Sequence, residues 1–309
     1  MLSMSALQGV VRVPEISPDS RIHVFRRSLG VVDQFAMLDV DAYVVITTHY
    51  VVICDTMLCP EDMAIVAQAI QGELKGRHLL VVNSHADWDH CWGNGYFTGA
   101  YAAPIIAHED CRAYLLSLNA HAKLSDYQRF PIFRQTTLTP PTITFTDSLT
   151  MHGGDLTLEL FHAPGHALEH IALWIPELRL LFAFDAAETP FPAIESAASV
   201  PSLLATLRRM LTLQPQYVLC SHDKTASAGT LEANLAYLQE IERRCRTFLV
   251  THRPAEAQIE QATQLIDYSF DAVAAHLNIP VDQINHAFYR AAHDHNVRCV
   301  MQWVLQTLK

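Results

Sequence analysis

Four short apolar runs in this chain each end at a residue able to bind a metal ion, and that repetition restricts the fold more than any other feature. Residues 78–83 lead into Ser84-His85-Ala86-Asp87-Trp88-Asp89-His90, and residues 156–161 lead into His162-Ala163-Pro164-Gly165-His166. Residues 178–184 end in Asp185, and residues 217–220 end in Ser221-His222-Asp223. Apolar runs of this length, bounded by polar and turn-forming residues, read as buried strands. A strand end is a rigid platform from which the side chains of a turn can converge on one point. One His on a loop, or one Asp before a helix, is ordinarily solvated or a helix cap. Imidazoles and carboxylates repeated at several strand ends are instead the pattern of a metal site.

The remaining chain fits a mixed α/β domain. Residues 22–29, 31–38, 41–48 and 50–55 read as strands, the last two as a hairpin rich in β-branched residues. Residues 61–74 place Met63, Ile65, Val66 and Ile70 on one helical face. A short strand at 104–107 and a helix at 109–118 follow the ligand loop, and the polar, proline-bearing residues 119–142 read as an irregular excursion over the site. Strands return at 143–145, 156–161, 171–175, 178–184 and 217–220.

The 309 residues, half of them apolar, suffice for one large domain or a domain with an appendage. Lys and Arg number 21 against 32 Asp and Glu, a formal charge of −11 with no basic run, which argues against a nucleic-acid backbone as the main partner. No apolar stretch has the length of a bilayer span, and residues 1–8 lack the pattern of a signal peptide. A cytoplasmic location, no membrane partner and a small-molecule substrate are therefore expected. The seven cysteines are scattered, without a Cys-x-x-Cys pair, and read as reduced, mostly buried thiols, Cys91 included.

The ordered series of a His-x-Asp-x-Asp-His loop, a Pro-Gly-His turn, a strand-terminal Asp and a late strand-terminal His resembles the metallo-β-lactamase fold superfamily over about residues 20–225. The hairpin from Asp41-Ala42-Tyr43 to Asp55-Thr56 resembles that family's opening as well. The resemblance implies a four-layer αββα sandwich with its metals at the strand ends between the sheets. It also implies a ligand set: His85, Asp87 and His166 on a first metal, Asp89, His90 and His222 on a second, and Asp185 bridging both. The function implied is a metal-dependent hydrolase that directs a metal-activated hydroxide, aligned by Asp89, at an ester, thioester, lactone or phosphoester. The cofactors implied are two divalent metal ions, zinc foremost. Where the family usually has a second His this chain has Asp87, a harder oxygen donor that suits iron or manganese better. A diiron branch with Glu at that place makes a non-haem iron oxidoreductase the alternative, and a catalytically silent metal-binding module the third reading.

Other residues invite a role. His170 and His108 read as packed side chains or as supports of a ligand. Trp88, Trp92 and Tyr96 are candidates for lining a cleft. From about residue 227 the character changes: residues 231–248, 255–277 and 281–308 carry apolar residues at helical spacing, punctuated by Pro254 and Pro280. The expected division is a catalytic domain over 1–226 and a helical appendage or cap over 227–309, with a turn at 278–280, a helix beginning near 281, and a homodimer through these helices as one use for them.

Overall fold

Strand alternation sorts the apolar residues into two cores. The computed structural model describes residues 9–277 and 284–308, so the expectations for residues 1–8, for the turn at 278–280 and for the helix start at 281–283 lie outside the described residues. The first sheet has the order β1 (Val11–Arg12), β2 (Ile22–Ser28), β3 (Asp39–Ile46), β4 (Tyr50–Cys54), β5 (His78–Val82), β6 (Ile105–His108) and β7 (Ile143–Phe145). Its pairing is antiparallel from β1 to β4 and parallel from β4 to β7. The second sheet comprises β8 (Ser148–His152), β9 (Thr157–His162), β10 (Ile171–Ile175), β11 (Leu180–Phe182) and β12 (Tyr217–Leu219), antiparallel except that β12 runs parallel to β11.

Successive side chains of a strand point to opposite faces. Tyr43 and Val45 of β3, Val52 and Cys54 of β4, Ile171, Leu173 and Ile175 of β10, and Leu180 and Phe182 of β11 accordingly meet in one cluster between the sheets. Val44, Val51, Ile53, Ala172, Trp174 and Leu181, their alternates, belong to the other cluster, which they share with helices. Those helices are α1 (Pro60–Ala69), α2 (Trp88–Cys91), α3 (Glu109–Leu115), α4 (Leu118–Tyr127), α5 (Val200–Thr212), α6 (Gly229–Leu249), α7 (Glu256–Ile259), α8 (Ala262–Leu265), α9 (Phe270–His276) and α10 (His286–Thr307). The result is the expected α/β sandwich of two sheets between helices, with a helical C-terminal region.

Three expectations are corrected. Residues 31–38 are a loop around a 3-10 turn, Asp33–Phe35, closed by Leu29 N–H on Leu38 C=O at 2.8 Å; Val32 and Leu38 are buried as loop residues, not as a strand. Within 119–142, α4 forms because Ser117 caps it, its Oγ accepting from Ala120 N at 3.2 Å. Residues 255–277 are three short helices, interrupted where Asp267 takes φ +48° and Ser269 caps a new start. Apolar spacing continues through these breaks, so periodicity alone does not show them. Among the described residues, no helix is long and apolar enough to cross a membrane.

The C-terminal helices close on a buried polar core. His293 is fully buried, with Nε2–H donating to Tyr268 C=O at 2.8 Å and Nδ1 accepting from Tyr237 O–H at 2.9 Å. Burial lowers the imidazole below its ordinary value of 6.5, so it is held neutral. The unfolded chain therefore binds this proton more tightly. The stabilisation is complete above about pH 6.5 and is lost as pH falls beneath it. As pH falls from 7.5 to 5.5 the thermal unfolding midpoint of the wild type is expected to drop relative to that of His293→Gln, a difference in which the other titrating groups cancel; an equal slope in both proteins would refute the assignment.

Candidate metal centre

The strand ends deliver the candidate ligands by distinct local devices. β5 ends at Val82, and Ser84 is gripped by Asp55, which follows β4: Asp55 accepts from Ser84 N at 2.7 Å and from Ser84 Oγ at 2.8 Å. Asp55 adopts φ +63°, a left-handed conformation that Asp tolerates better than most residues. Its second oxygen also takes the Nδ1 proton of His90 at 2.9 Å. At the end of β9, Gly165 has φ +144°, and a Cβ there would lie 2.4 Å from that of Leu203 in α5. Glycine alone allows both the turn and the close approach that place His166. After β11, Phe184 takes φ +49° immediately before Asp185.

The four imidazoles are tied back on one side and open on the other. Nδ1 of His90 faces Asp55, that of His222 faces Asp39 C=O at 2.7 Å, that of His166 faces Ala193 C=O at 3.2 Å, and that of His85 faces Ser84 Oγ at 2.9 Å. A donor position filled on Nδ1 leaves the Nε2 lone pair for a metal. Asp185 Oδ2 stands 3.8 Å from Nε2 of His85, 3.3 Å from that of His90, 3.6 Å from that of His166 and 3.2 Å from that of His222. Two donor groups result, His85–His166–Asp185 and Asp89–His90–His222, with the ligand atoms of each within 4.8 Å of one another. Asp89 Oδ2 lies 3.6 Å from Nε2 of both His90 and His222.

Asp87 stands beside the first group. Its Oδ2 is 3.6 Å from His85 Nε2 and 3.8 Å from His166 Nε2, while its Oδ1 accepts from Lys123 Nζ of α4 at 2.9 Å. Lys123 thus partly offsets the charge that a carboxylate adds here. All seven residues expected to bind metal therefore gather at one place, with Asp87 held by a cation on its far side.

The unpaired atoms of the donor set show that it fits metal ions. His85 Nε2, His90 Nε2 and Asp185 Oδ1 are buried with no hydrogen-bond partner, a costly state unless something else satisfies them. Burial opposes ionisation throughout, but the groups' attraction for each other outweighs it: Asp185 is held well below the usual carboxylate range by His90 and His222, while Asp185 raises His222 to about 10. Asp87 and Asp185 raise His166 to about 9. Protons and metal therefore compete for the same lone pairs, and metal uptake must release protons.

A cavity of about 260 Å³ opens onto this cluster, lined by Trp88, Lys123, Tyr127, Glu188 and Phe288 besides Asp87, Asp89, His166, Asp185 and His222. A larger one of about 420 Å³, reaching Arg26, Asp223 and Lys224, adjoins it at His222. Of the aromatics singled out in the sequence, Trp88 lines the cleft. Trp92 packs against Tyr127 and Phe133, and Tyr96 stacks on Tyr101. His170 supports the Asp185 backbone, its Nε2 accepting from Asp185 N at 3.2 Å, whereas His108 caps α3 and stacks on His162. Sequence reasoning missed Asp55, whose place at a strand end was the available signal, and Lys123, Tyr127, Glu188 and Phe288, which carried none. Burial raises Glu188 to about 7, and Tyr289 donates its hydroxyl proton to Glu188 Oε1.

Comparison with known proteins agrees with this geometry. The profile of the Metallo-beta-lactamase superfamily matches residues 37–222, more than half of the chain. A hydroxyacylglutathione hydrolase from Rhodopseudomonas palustris (strain BisB5) is 23% identical over 230 residues, 72% of this chain and 80% of that protein. A metallo-beta-lactamase family protein from Thermus thermophilus superposes with a TM-score of 0.63 at 16% identity, covering 89% of this chain and 95% of its own. For a metallo-beta-lactamase from Pontibacter korlensis the TM-score is 0.58 at 18% identity, over 74% of this chain and 99% of the other.

Proposed function

The chain belongs to the metallo-beta-lactamase superfamily, and from that premise we propose that it is a hydrolase of small esters, thioesters, lactones or phosphoesters, built to hold two divalent metal ions. The observation that carries the reading is the position of Asp185 Oδ2, 3.2 to 3.8 Å from the Nε2 atoms of His85, His90, His166 and His222. His85, Asp87 and His166 would hold one ion, Asp89, His90 and His222 the other, and Asp185 both. Bound there, such ions polarise a carbonyl or phosphoryl oxygen and supply a nucleophile at neutral pH.

The chain's own residues do the rest. Asp89 lies at the cleft side of the cluster, where its carboxylate orients the attacking group and accepts its proton. Lys123 holds Asp87 in place and offsets its charge. Leu29, Phe35, Leu38 and Phe288 form an apolar wall of the cleft, suited to an apolar acyl portion and to excluding water. The hydroxyacylglutathione hydrolase relative supports the thioester member of the substrate class. Zinc is the first candidate, and the oxygen donor at Asp87 keeps iron and manganese in the comparison.

Elemental analysis of protein purified without added metal, beside a panel of chromogenic esters, thioesters, lactones and phosphoesters, tests this. Bound metal together with chelator-sensitive turnover is the expected result. Metal-free protein that neither takes up metal nor turns over any substrate would overturn it, and iron with oxygen consumption in place of hydrolysis would replace it with the oxidoreductase.

A further inference from the structure

Residues 187–196, which follow the shared ligand Asp185, form neither helix nor strand. Much of this segment is buried, and its backbone polar groups need partners that regular structure does not supply. Two buried asparagines provide them. Asn234 of α6 accepts from Glu188 N at 2.8 Å and donates to Glu188 C=O at 2.8 Å and Pro190 C=O at 3.2 Å. Asn296 of α10 accepts from Ile194 N at 2.9 Å and donates to Pro192 C=O at 2.9 Å. His295 Nε2–H donates to Ile194 C=O at 2.9 Å. Between these anchored residues lies Ala193, whose carbonyl takes the Nδ1 proton of His166, and Glu195 N donates to Gly165 C=O at 3.3 Å in the same turn.

We infer that Asn234 and Asn296 are positioning residues of the metal centre: helices beyond the family-matched residues 37–222 hold segment 188–194, and through Ala193 C=O they set the ring of His166. This rests on the reading of the site as a metal centre. It assigns the C-terminal helices a role in the chemistry distinct from covering the cleft. Both side chains are almost fully buried and make the paired amide contacts of a peptide group, which no apolar residue reproduces. The path is short: one side chain, a few residues of backbone, one carbonyl, one imidazole. Loss of the carbonyl partner frees the His166 ring to rotate and to exchange its tautomer, weakening it as a ligand.

The test compares Asn296→Leu with Val300→Ala, a buried apolar truncation one turn further along α10, in the full chain. Zinc affinity is read by chelator competition. The His166 tautomer is read in metal-free protein by long-range proton–nitrogen NMR above the pH of about 9 at which the ring gives up its second proton, and amide exchange at residues 193–196 is read at neutral pH. Asn296→Leu is expected to weaken one zinc site by about tenfold or more, to mix the His166 tautomers and to speed exchange there. Val300→Ala should lower the unfolding midpoint while leaving zinc affinity and the ring unchanged. Asn296→Leu with wild-type affinity and an unaltered ring overturns the inference, as does an equal loss in Val300→Ala. If Asn296→Leu does not fold, Asn234→Ser is read in the same way at residues 188–194 and His166. Wild-type protein that binds no zinc defeats the metal-centre reading instead; the ring and exchange data then decide the brace alone, unchanged values overturning it.

Discussion

Asp185→Asn is expected to empty the centre of at least one metal ion and to reduce hydrolysis by about 10²–10³-fold, with little loss of fold. The side chain keeps its shape, so the apolar packing around it is undisturbed. What changes is charge: the one oxygen facing all four Nε2 atoms at 3.2 to 3.8 Å becomes a neutral amide. A neutral group bridges two dications far less well than a carboxylate, because it leaves their mutual repulsion unscreened. The same change has a signature without metal. Asp185 is the main attraction that raises His222 to about 10, so in Asp185→Asn that imidazole should lose its proton at a distinctly lower pH, readable by NMR titration. Full metal content and an unmoved His222 in the variant would show that Asp185 bridges nothing.

Asp55→Ala has the second largest expected effect, and it acts on stability and on the centre together. Asp55 is fully buried and accepts three hydrogen bonds, from Ser84 N, Ser84 Oγ and His90 Nδ1. Its removal leaves those donors facing a void, at a cost of about 1–3 kcal/mol each where no water enters. Ala is also less tolerant of φ +63° by about 1–2 kcal/mol. Together these come to about 4–11 kcal/mol with no water admitted; the vacated carboxylate leaves room for water to accept from the stranded donors, so a loss at the low end, about 4–5 kcal/mol, is expected in denaturant unfolding of the metal-free protein. His90 then has no partner on Nδ1, and zinc affinity should fall about 10–100-fold. A destabilisation below about 1 kcal/mol would mean that Ser84 and His90 find other partners and that Asp55 is no hub.

Much of the site is readable in the sequence because its signals are local. Apolar runs ending at Asn83, Phe161, Phe184 and Cys220 announce strands, and the residues just past those strand ends are where His85, His166, Asp185 and His222 are found. Loop 31–38 imitates a strand because burial alone produces the same apolar pattern, its Val32 and Leu38 packing inward without a pairing partner. Helix α4 escapes the periodicity because it is polar and short, yet it carries Lys123 to within 2.9 Å of Asp87. Asp55 is visible as the end of a strand, but three donors converge on it only after β4 and β5 pair in parallel, Cys54 beside Val82.

The amino-acid sequence by itself determined which residues end up at strand termini, since alternation, turn-forming Pro164-Gly165 and the polar breaks act within a few neighbours of each ligand. Only the tertiary structure decided which partner each ring turns its back on: Asp39 for His222, Ala193 for His166, Asp55 for His90. Those contacts join residues up to 183 positions apart. They depend on the packing of two sheets and on asparagines in distant helices, and no short-range pattern encodes the angle at which one layer meets another.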